Sequence, residues 1–165
     1  MMNPLLQDIF AIAAQIVTDA NKKSLTIGTA ESCTGGLIGG AITAISGSSA
    51  CFKGGITASD NAVKHALLSV PTETIETYGA VSEQTALAMA QGALTALNVD
   101  IALSVTGIAG PSGGSVEKPV GTVWIGLART ASTSATRFDF GDIGRNRVRD
   151  QACLEGLKML HNALQ

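Results

Sequence analysis

Ser32, Cys33 and Thr34 place two hydroxyls and a thiol just before Gly35 and Gly36. The first backbone N–H groups of a helix lack intrahelical partners and carry about half a positive charge, so they can receive an oxyanion or a phosphate. Each glycine weakens a helix start by about 1 kcal/mol relative to Ala and is expected where another group approaches the backbone. The pattern predicts a nucleophile at this turn; the alternative is that Ser32 or Thr34 only caps the helix.

A serine nucleophile needs a base, and the chain has only two histidines, His65 and His161, both predicted to be ordinary helix residues. A lysine whose pKa is lowered by burial can replace histidine. Lys64 is the best placed, on a short predicted helix, although most lysines are solvated surface residues. Cys33 is a second candidate nucleophile, because a helix N-terminus lowers a thiol's pKa; its alternative is a small buried filler.

Arg145, Arg147 and Arg149 crowd the start of the last predicted helix, where the helix dipole disfavours cations. Arg145 and Arg149 are four positions apart and share one helix face, so both can reach one pocket. This arrangement predicts an arginine fork for a substrate phosphate or carboxylate. The alternative is neutralisation within the chain by nearby carboxylates, namely Asp139, Asp142 and Asp150.

A second Gly-rich loop, residues 106–114, follows the apolar segment Ile101–Val105. The first loop follows the apolar segment Leu25–Ala30 in the same way. Ligands of open α/β sheets bind at the carboxyl ends of parallel strands, so two such loops at one edge predict a ligand site; the alternative is two tight turns. Neither loop has the spacing of a dinucleotide or P-loop motif.

Strands alternate with helices and then form a hairpin, which predicts a single α/β domain over residues 1–165. Its fold class is a three-layer α/β/α sandwich around a mixed, mostly parallel sheet. Ser82 is the predicted N-cap of the most regular helix, whose alanines suit either the core or a homo-oligomer interface. Helices are predicted over residues 5–17, 35–45, 61–68, 72–78 and 83–97. A last helix is predicted to begin near Arg145 and to bury an apolar side from Val148 to Leu164. Strands are predicted over residues 25–30, 51–58, 101–105, 120–128 and 136–140.

The composition excludes several function classes. A net charge of −2 and 4% aromatic residues give no basic patch or stacking platform for nucleic acid. The first residues lack the basic region of a signal peptide, and no apolar run is long enough for a membrane span. Three scattered cysteines without CxxC spacing predict reduced thiols, no structural zinc and a cytoplasmic protein.

Five stretches of the chain resemble the carboxy-terminal domain of the competence/damage-inducible protein CinA, whose stand-alone members are nicotinamide-nucleotide amidohydrolases. The resemblance implies hydrolysis of the carboxamide of nicotinamide mononucleotide to nicotinic acid mononucleotide and ammonia, with no metal or cofactor, and it implies that the longer members' other domain is absent. The matching stretches are residues 30–36 (AESCTGG), 47–49 (GSS), 79–82 (GAVS), 106–111 (TGIAGP) and 117–123 (EKPVGTV).

By position, Ser32 matches the family's nucleophile and Lys64 the lysine that activates it. Thr106 matches a hydroxyl residue that shapes the amide site, and Arg145 matches an arginine of the substrate site. In the predicted mechanism the N–H groups around residues 34–36 hold the oxyanion. The phosphate lies against Arg145, with the loop of residues 107–114 as a further contact. The full set of predicted substrate-binding residues is Cys33, Thr34, Gly35, Gly36, Ser59, Gly107, Gly110 and Arg145.

The chain departs from the family pattern just before Lys64. Members with the activity usually carry Tyr-Ser-Asn there, and the tyrosine assists proton transfer, whereas this chain has Ser59, Asp60 and Asn61. Either Ser59 with a water replaces the phenol, or Asp60 alters the charge of the lysine, or activity has been lost or redirected. The alternative functions are therefore a non-catalytic nucleotide-binding or sensor module, and an amidase for another small carboxamide.

Overall fold

The computed structural model describes residues 1–165. Six α-helices and five β-strands make up the chain, together with a 3₁₀ turn at Ser48–Ala50. In chain order the elements are α1 (Pro4–Lys23), β1 (Ile27–Glu31), α2 (Leu37–Thr43), β2 (Phe52–Thr57), α3 (Asn61–Leu68), α4 (Thr72–Tyr78), α5 (Glu83–Leu97), β3 (Ile101–Gly107), β4 (Thr122–Arg129), β5 (Ser132–Asp139) and α6 (Arg145–Ala163).

The strands form one sheet in the order β2-β1-β3-β4-β5. Strand β1 is parallel to both of its neighbours, β2 and β3. Strand β4 is antiparallel to β3 and to β5, so it alone runs against the other strands. The predicted mixed, mostly parallel sheet is confirmed. Its parallel centre consists of β1 and β3, which are buried along almost their whole length, as expected for a sheet covered on both faces.

Helices cover both faces of the sheet. On one face α1, α2 and α6 pack in an apolar core that includes Ile16, Ile42 and Leu157, all fully buried. On the other face α3 and α5 pack in a smaller core around Leu68 and Met89, with α4 against α5. The three-layer α/β/α architecture is therefore confirmed.

Side-chain caps define several helix starts. Asp60 accepts a hydrogen bond from the backbone N–H of Ala62 at 2.8 Å, and Ser82 accepts one from Thr85 at 3.1 Å. Each cap satisfies one of the orphan donors of a first helical turn. Helix α3 has the predicted bounds, and the predicted cap at Ser82 is confirmed.

Several predicted boundaries differ from the structure, and three of the differences are informative. Helix α1 continues to Lys23 and ends at Ser24 in the left-handed conformation. Helix α2 begins only at Leu37, because Gly35 and Gly36 have φ values of 60° and 97°, which an α-helix excludes. Strand β5 begins at Ser132, earlier than the predicted residue 136. The prediction missed this start because the first residues of the strand are mostly exposed and show no apolar alternation.

Candidate active site

The turn that carries Ser32 lies at the centre of the sheet edge. Strand β1 ends at Glu31 between β2 and β3, and the backbone N–H of Ser32 donates to the carbonyl of Val105 at 2.9 Å. The residues after β1 and the end of β3, with Thr106 and Gly107, therefore meet at one edge. The two Gly-rich loops are neighbours, as their positions after parallel strands predict.

Lys64 reaches this edge from α3. Its Nζ lies 3.2 Å from the Oγ of Ser32 and donates to the carbonyl of Ser59 at 3.1 Å. Only 1% of Lys64 is exposed, and burial lowers the pKa of its amine, while the charge of Asp60 and the nearby Cys33 oppose that shift. A buried amine with a lowered pKa is neutral in a larger fraction of molecules, so it can accept a proton from a hydroxyl.

The N-terminus of α2 is already occupied by an internal carboxylate. Glu31, which is 2% exposed, accepts the backbone N–H groups of Ile38 and Gly39, each at 3.0 Å, and the hydroxyl of Thr29 at 3.3 Å. The first-turn N–H groups of Ile38 and Gly39 are therefore not available to a reacting group. Anion-binding donors must come from the turn that precedes α2.

Within that turn, the N–H of Gly35 is also occupied, because it donates to the carbonyl of Ser32 at 3.1 Å. The backbone N–H groups of Cys33, Thr34 and Gly36 donate no hydrogen bond to another residue. Unpaired N–H groups next to a nucleophile are the usual components of an oxyanion hole. The available donors are thus these three, and Gly35 drops out of the predicted set.

The Cys33 thiol is not an activated nucleophile. Burial raises its pKa to about 12, with the charge of Glu31 acting in the same direction and Arg149 and Lys64 against it. The predicted lowering of this pKa by a helix N-terminus does not occur, because burial outweighs it and because Glu31, which caps that terminus, adds a negative charge nearby. A neutral thiol is a poor nucleophile, so Cys33 is part of the cavity wall.

Thr106 and Thr34 are both buried but differ in their contacts. The Thr106 hydroxyl donates to the carbonyl of Ala80 at 2.7 Å and so ties the segment before α5 to the end of β3. The Thr34 hydroxyl is fully buried, has no hydrogen-bond partner and does not line the cavity. Of these two side chains, only that of Thr106 is placed to contact a ligand.

The arginines do not pair with the nearby acids. Arg145 donates from Nη1 to the carbonyl of Gly110 at 2.8 Å, and Arg149 donates to the carbonyls of Cys33 and Thr34 at 3.0 and 3.3 Å. The alternative of internal neutralisation fails, since neither guanidinium forms a salt bridge. Of the three acids, Asp139 instead pairs with Arg137 at 3.0 Å.

These groups surround one cavity of about 510 Å³. A volume of this size suits a small-molecule ligand. Of the predicted site residues, Thr34, Gly36 and Gly110 do not line it. Sequence reasoning did not assign binding roles to Thr57, Ala80 and Val81, although residues 79–82 carried a family motif. It did predict that Arg149 shares a pocket with Arg145, and both arginines line this cavity. The lining residues are Ser32, Cys33, Gly35, Thr57, Ser59, Lys64, Ala80, Val81, Thr106, Gly107, Ala109, Arg145 and Arg149.

Gly107 lines the cavity at a position where no larger residue fits. A Cβ there would lie 2.7 Å from Cγ2 of Val123, 3.0 Å from the carbonyl of Thr122 and 3.1 Å from Sγ of Cys33. The requirement for glycine therefore comes from the close packing of Gly107 against β4 and against Cys33 of the first Gly-rich loop.

No group of three or more His, Cys, Asp or Glu side chains is arranged to hold a metal ion. No helix combines the length and the apolar character that crossing a bilayer would require.

Residues 9–164 match the family model of the CinA C-terminal domain. A CinA-like protein of Geobacter sp. (strain M21) is 50% identical over 144 residues, which cover 87% of this chain and 34% of that protein. A CinA-like protein of Dictyoglomus thermophilum is 48% identical over 152 residues, covering 91% of this chain and 36% of that protein. The chain thus spans about a third of the length of the curated relatives it matches.

Solved structures of this family have the same fold. The competence/damage inducible protein CihA from Agrobacterium tumefaciens superposes with a TM-score of 0.92 at 47% identity, over 95% of each chain. A CinA superfamily protein from Klebsiella pneumoniae superposes with a TM-score of 0.90 at 29% identity, over 94% of this chain and 97% of that one.

Proposed function

The chain belongs to the CinA C-terminal domain family, and from that premise we propose that it is an amidohydrolase for the carboxamide of nicotinamide mononucleotide. The products are nicotinic acid mononucleotide and ammonia. The observation that carries the proposal is the contact of 3.2 Å between Nζ of the buried Lys64 and Oγ of Ser32 inside the cavity. Nucleophile and base within hydrogen-bond reach are the signature of covalent acyl transfer.

In the first half-reaction the Ser32 hydroxyl oxygen attacks the carboxamide carbon, and its proton passes to the neutral amine of Lys64. The resulting oxyanion is held by the unpaired N–H groups of Cys33 and Thr34. The protonated amine then returns a proton to the amide nitrogen as the C–N bond breaks. Ammonia leaves, and the acyl group remains as an ester of Ser32.

In the second half-reaction a water molecule attacks the ester carbon while Lys64 takes one of its protons. The tetrahedral intermediate uses the same N–H donors. Collapse breaks the C–O bond to Ser32, which recovers its proton from Lys64 and releases the carboxylic acid product. The lysine is therefore the only proton carrier that both steps require.

Arg145 supplies the contact for the substrate phosphate. Its Nη1 is occupied by the carbonyl of Gly110 at 2.8 Å, which leaves the Nε and Nη2 donors for an anion. The first turn of α6 holds no acidic residue that would compete for this charge. The loop of residues 107–114 borders the same end of the cavity through Gly107 and Ala109.

A non-catalytic nucleotide-binding module is the second candidate, and one observation favours it. Ser59 lines the cavity beside Lys64 at the position where the family resemblance expects a tyrosine, and its carbonyl accepts from the lysine. A serine cannot supply the phenol that assists proton transfer in related sequences. Ligand binding without turnover would follow if that assistance is essential.

Ammonia release from nicotinamide mononucleotide by the purified protein, measured beside titration calorimetry with the same nucleotide, separates the two candidates. The hydrolase releases one ammonia for each nicotinic acid mononucleotide formed. A binding module gives a calorimetric isotherm and no ammonia. A panel of other small carboxamides, measured in the same ammonia assay, tests whether the protein is an amidase for a different substrate.

A further inference from the structure

Arg149 donates hydrogen bonds to backbone carbonyls of the turn that follows Ser32, which a role in phosphate binding does not explain. We propose that Arg149 is a positioning residue, which orients the peptide group after Cys33 so that an N–H beside the nucleophile points toward the reacting oxygen. The proposal deepens the function proposed above and rests on Ser32 as nucleophile. The sequence predicted that Arg145 and Arg149, on one helix face, bind a substrate anion together. The proposal instead gives the two arginines different roles.

The contacts of Arg149 are with backbone carbonyls. Nε donates to the carbonyl of Cys33 at 3.0 Å and Nη2 to the carbonyl of Thr34 at 3.3 Å. The guanidinium is planar and presents its donors in a fixed fork, so two successive carbonyls are held in one orientation. The side chain comes from α6, 116 positions further along the chain than Cys33.

The three peptide groups that follow Ser32 are each held through their carbonyls. The Ser32 carbonyl accepts the N–H of Gly35 at 3.1 Å, and the Thr34 carbonyl accepts the N–H of Leu37 at 3.1 Å besides Arg149. The Cys33 carbonyl accepts only from Arg149. The peptide group between Cys33 and Thr34 is therefore fixed by this arginine alone.

A planar trans peptide points its N–H away from its C=O. Because Arg149 holds the Cys33 carbonyl, it also sets the direction of the Thr34 N–H, which donates no hydrogen bond within the chain. An oxyanion donor is effective only when its direction is fixed before the charge develops. Without the guanidinium this peptide group could rotate, and its N–H would lose that direction.

Arg145 differs in both respects. It holds only one carbonyl, that of Gly110, and that carbonyl lies outside the turn of Ser32. Arg145 is exposed, whereas Arg149 is partly buried. Arg145 is therefore the arginine available to a substrate anion, and Arg149 is committed to the backbone.

The first test is steady-state kinetics with nicotinamide mononucleotide on Arg149→Met, Arg149→Lys and Arg145→Met. We expect Arg149→Met to lower kcat about 10- to 100-fold, less than the roughly 100- to 1,000-fold that follows loss of an oxyanion donor itself, with KM little changed. Arg149→Lys retains one cationic donor, so its kcat should lie between those of wild type and Arg149→Met. Arg145→Met raises KM, because it removes substrate binding. Arg147→Met is the matched control, since Arg147 is exposed on the same helix turn and makes no polar contact.

The second test does not depend on activity. Amide hydrogen exchange by NMR reports the N–H groups of Gly35 and Leu37, whose acceptors belong to the held turn. In Arg149→Met both amides exchange at least about tenfold faster, while that of Ile108, bonded to Thr122 outside the turn, is unchanged. The same two amides are measured in Arg149→Lys, which keeps the positive charge and is the better-tolerated variant.

Unchanged exchange at Gly35 and Leu37 in both Arg149 variants overturns the positioning role. A raised KM with unchanged kcat in Arg149→Met also overturns it and makes Arg149 a substrate ligand. If the wild-type protein releases no ammonia, the proposed function fails. The exchange measurement still decides whether Arg149 holds the turn, so the two failures are distinguishable.

Discussion

The amine of Lys64 and the hydroxyl of Ser32 lie 3.2 Å apart, although 32 positions separate them in the sequence. The contact exists because β1 and β2 are parallel neighbours, so the residue after β1 and the helix after β2 emerge at one edge of the sheet. The carbonyl of Ser59 holds the amine from the other side. The fold thus prepares a hydroxyl and a buried base before any substrate arrives.

The pH dependence of activity follows from the lysine. Burial lowers the pKa of Lys64 from its ordinary value of 10.5, so we expect kcat/KM to rise with pH along a limb centred below that value. The charge of Asp60 raises this pKa, so Asp60→Asn, which retains a capping side chain, moves the limb to lower pH. A pH–rate profile of both proteins checks the shift. A limb that stays in place, or moves upward, contradicts it.

Stability depends on the same group. At a pH below the folded-state pKa of Lys64, the amine is protonated in both the folded and the unfolded protein. Between that pKa and 10.5, only the unfolded protein holds the proton. The free energy of unfolding therefore rises with pH across this window. Lys64→Met removes the titrating amine. The free energy of unfolding of the wild type, minus that of the variant, should therefore increase as the pH rises across this window. Urea unfolding at several pH values measures it. A difference that falls with pH across this window would be inconsistent with a lowered pKa.

Glu31 stabilises the turn of the nucleophile by capping α2. Glu31→Gln keeps the shape but replaces one acceptor oxygen by an NH₂ group that cannot accept a backbone N–H. We expect a loss of about 1–3 kcal/mol in the free energy of unfolding, with lower kcat, because a buried donor loses its partner. Glu83→Gln, in the exposed first turn of α5, is the control. Equal effects from the two variants would refute the capping role.

Gly107 packs closely against β4 and against the first Gly-rich loop. Gly107→Ala places a methyl group 2.7 Å from Val123 and 3.1 Å from the Sγ of Cys33, so β4 or the loop must shift. We expect about 1–3 kcal/mol of destabilisation from this overpacking, and reduced kcat. Gly40→Ala, at a helix position with no atom within 4 Å of the new Cβ, is expected to stabilise by up to about 1 kcal/mol. Thermal unfolding and ammonia release of both variants test the contrast.

Sequence patterns predicted the features that depend on local periodicity and on strand order. The bounds of α3, the cap at Ser82 and the meeting of the two Gly-rich loops at one edge all follow from apolar spacing or from the carboxyl-end rule for parallel strands. The pairing of Lys64 with Ser32 needed the family resemblance in addition, because lysines are mostly exposed.

The features that sequence patterns missed depend on distant contacts. Arg149 binds carbonyls 115 and 116 positions away, which no local pattern encodes. Glu31 caps α2 across a turn with two left-handed glycines, so the usual cap spacing does not apply. The raised pKa of Cys33 follows from burial in the finished fold, which reversed the expectation based on a helix terminus.

The most direct measurement of the central claim is ammonia release from nicotinamide mononucleotide by wild type, Ser32→Ala and Lys64→Met. Lys53→Met is the matched control, because Lys53 is exposed and bonds only to the carbonyl of Ala50. We predict turnover by wild type and by the control, no detectable turnover by Ser32→Ala, and a rate about 100- to 10,000-fold lower in Lys64→Met. Wild-type rates in Ser32→Ala or in Lys64→Met would contradict the account.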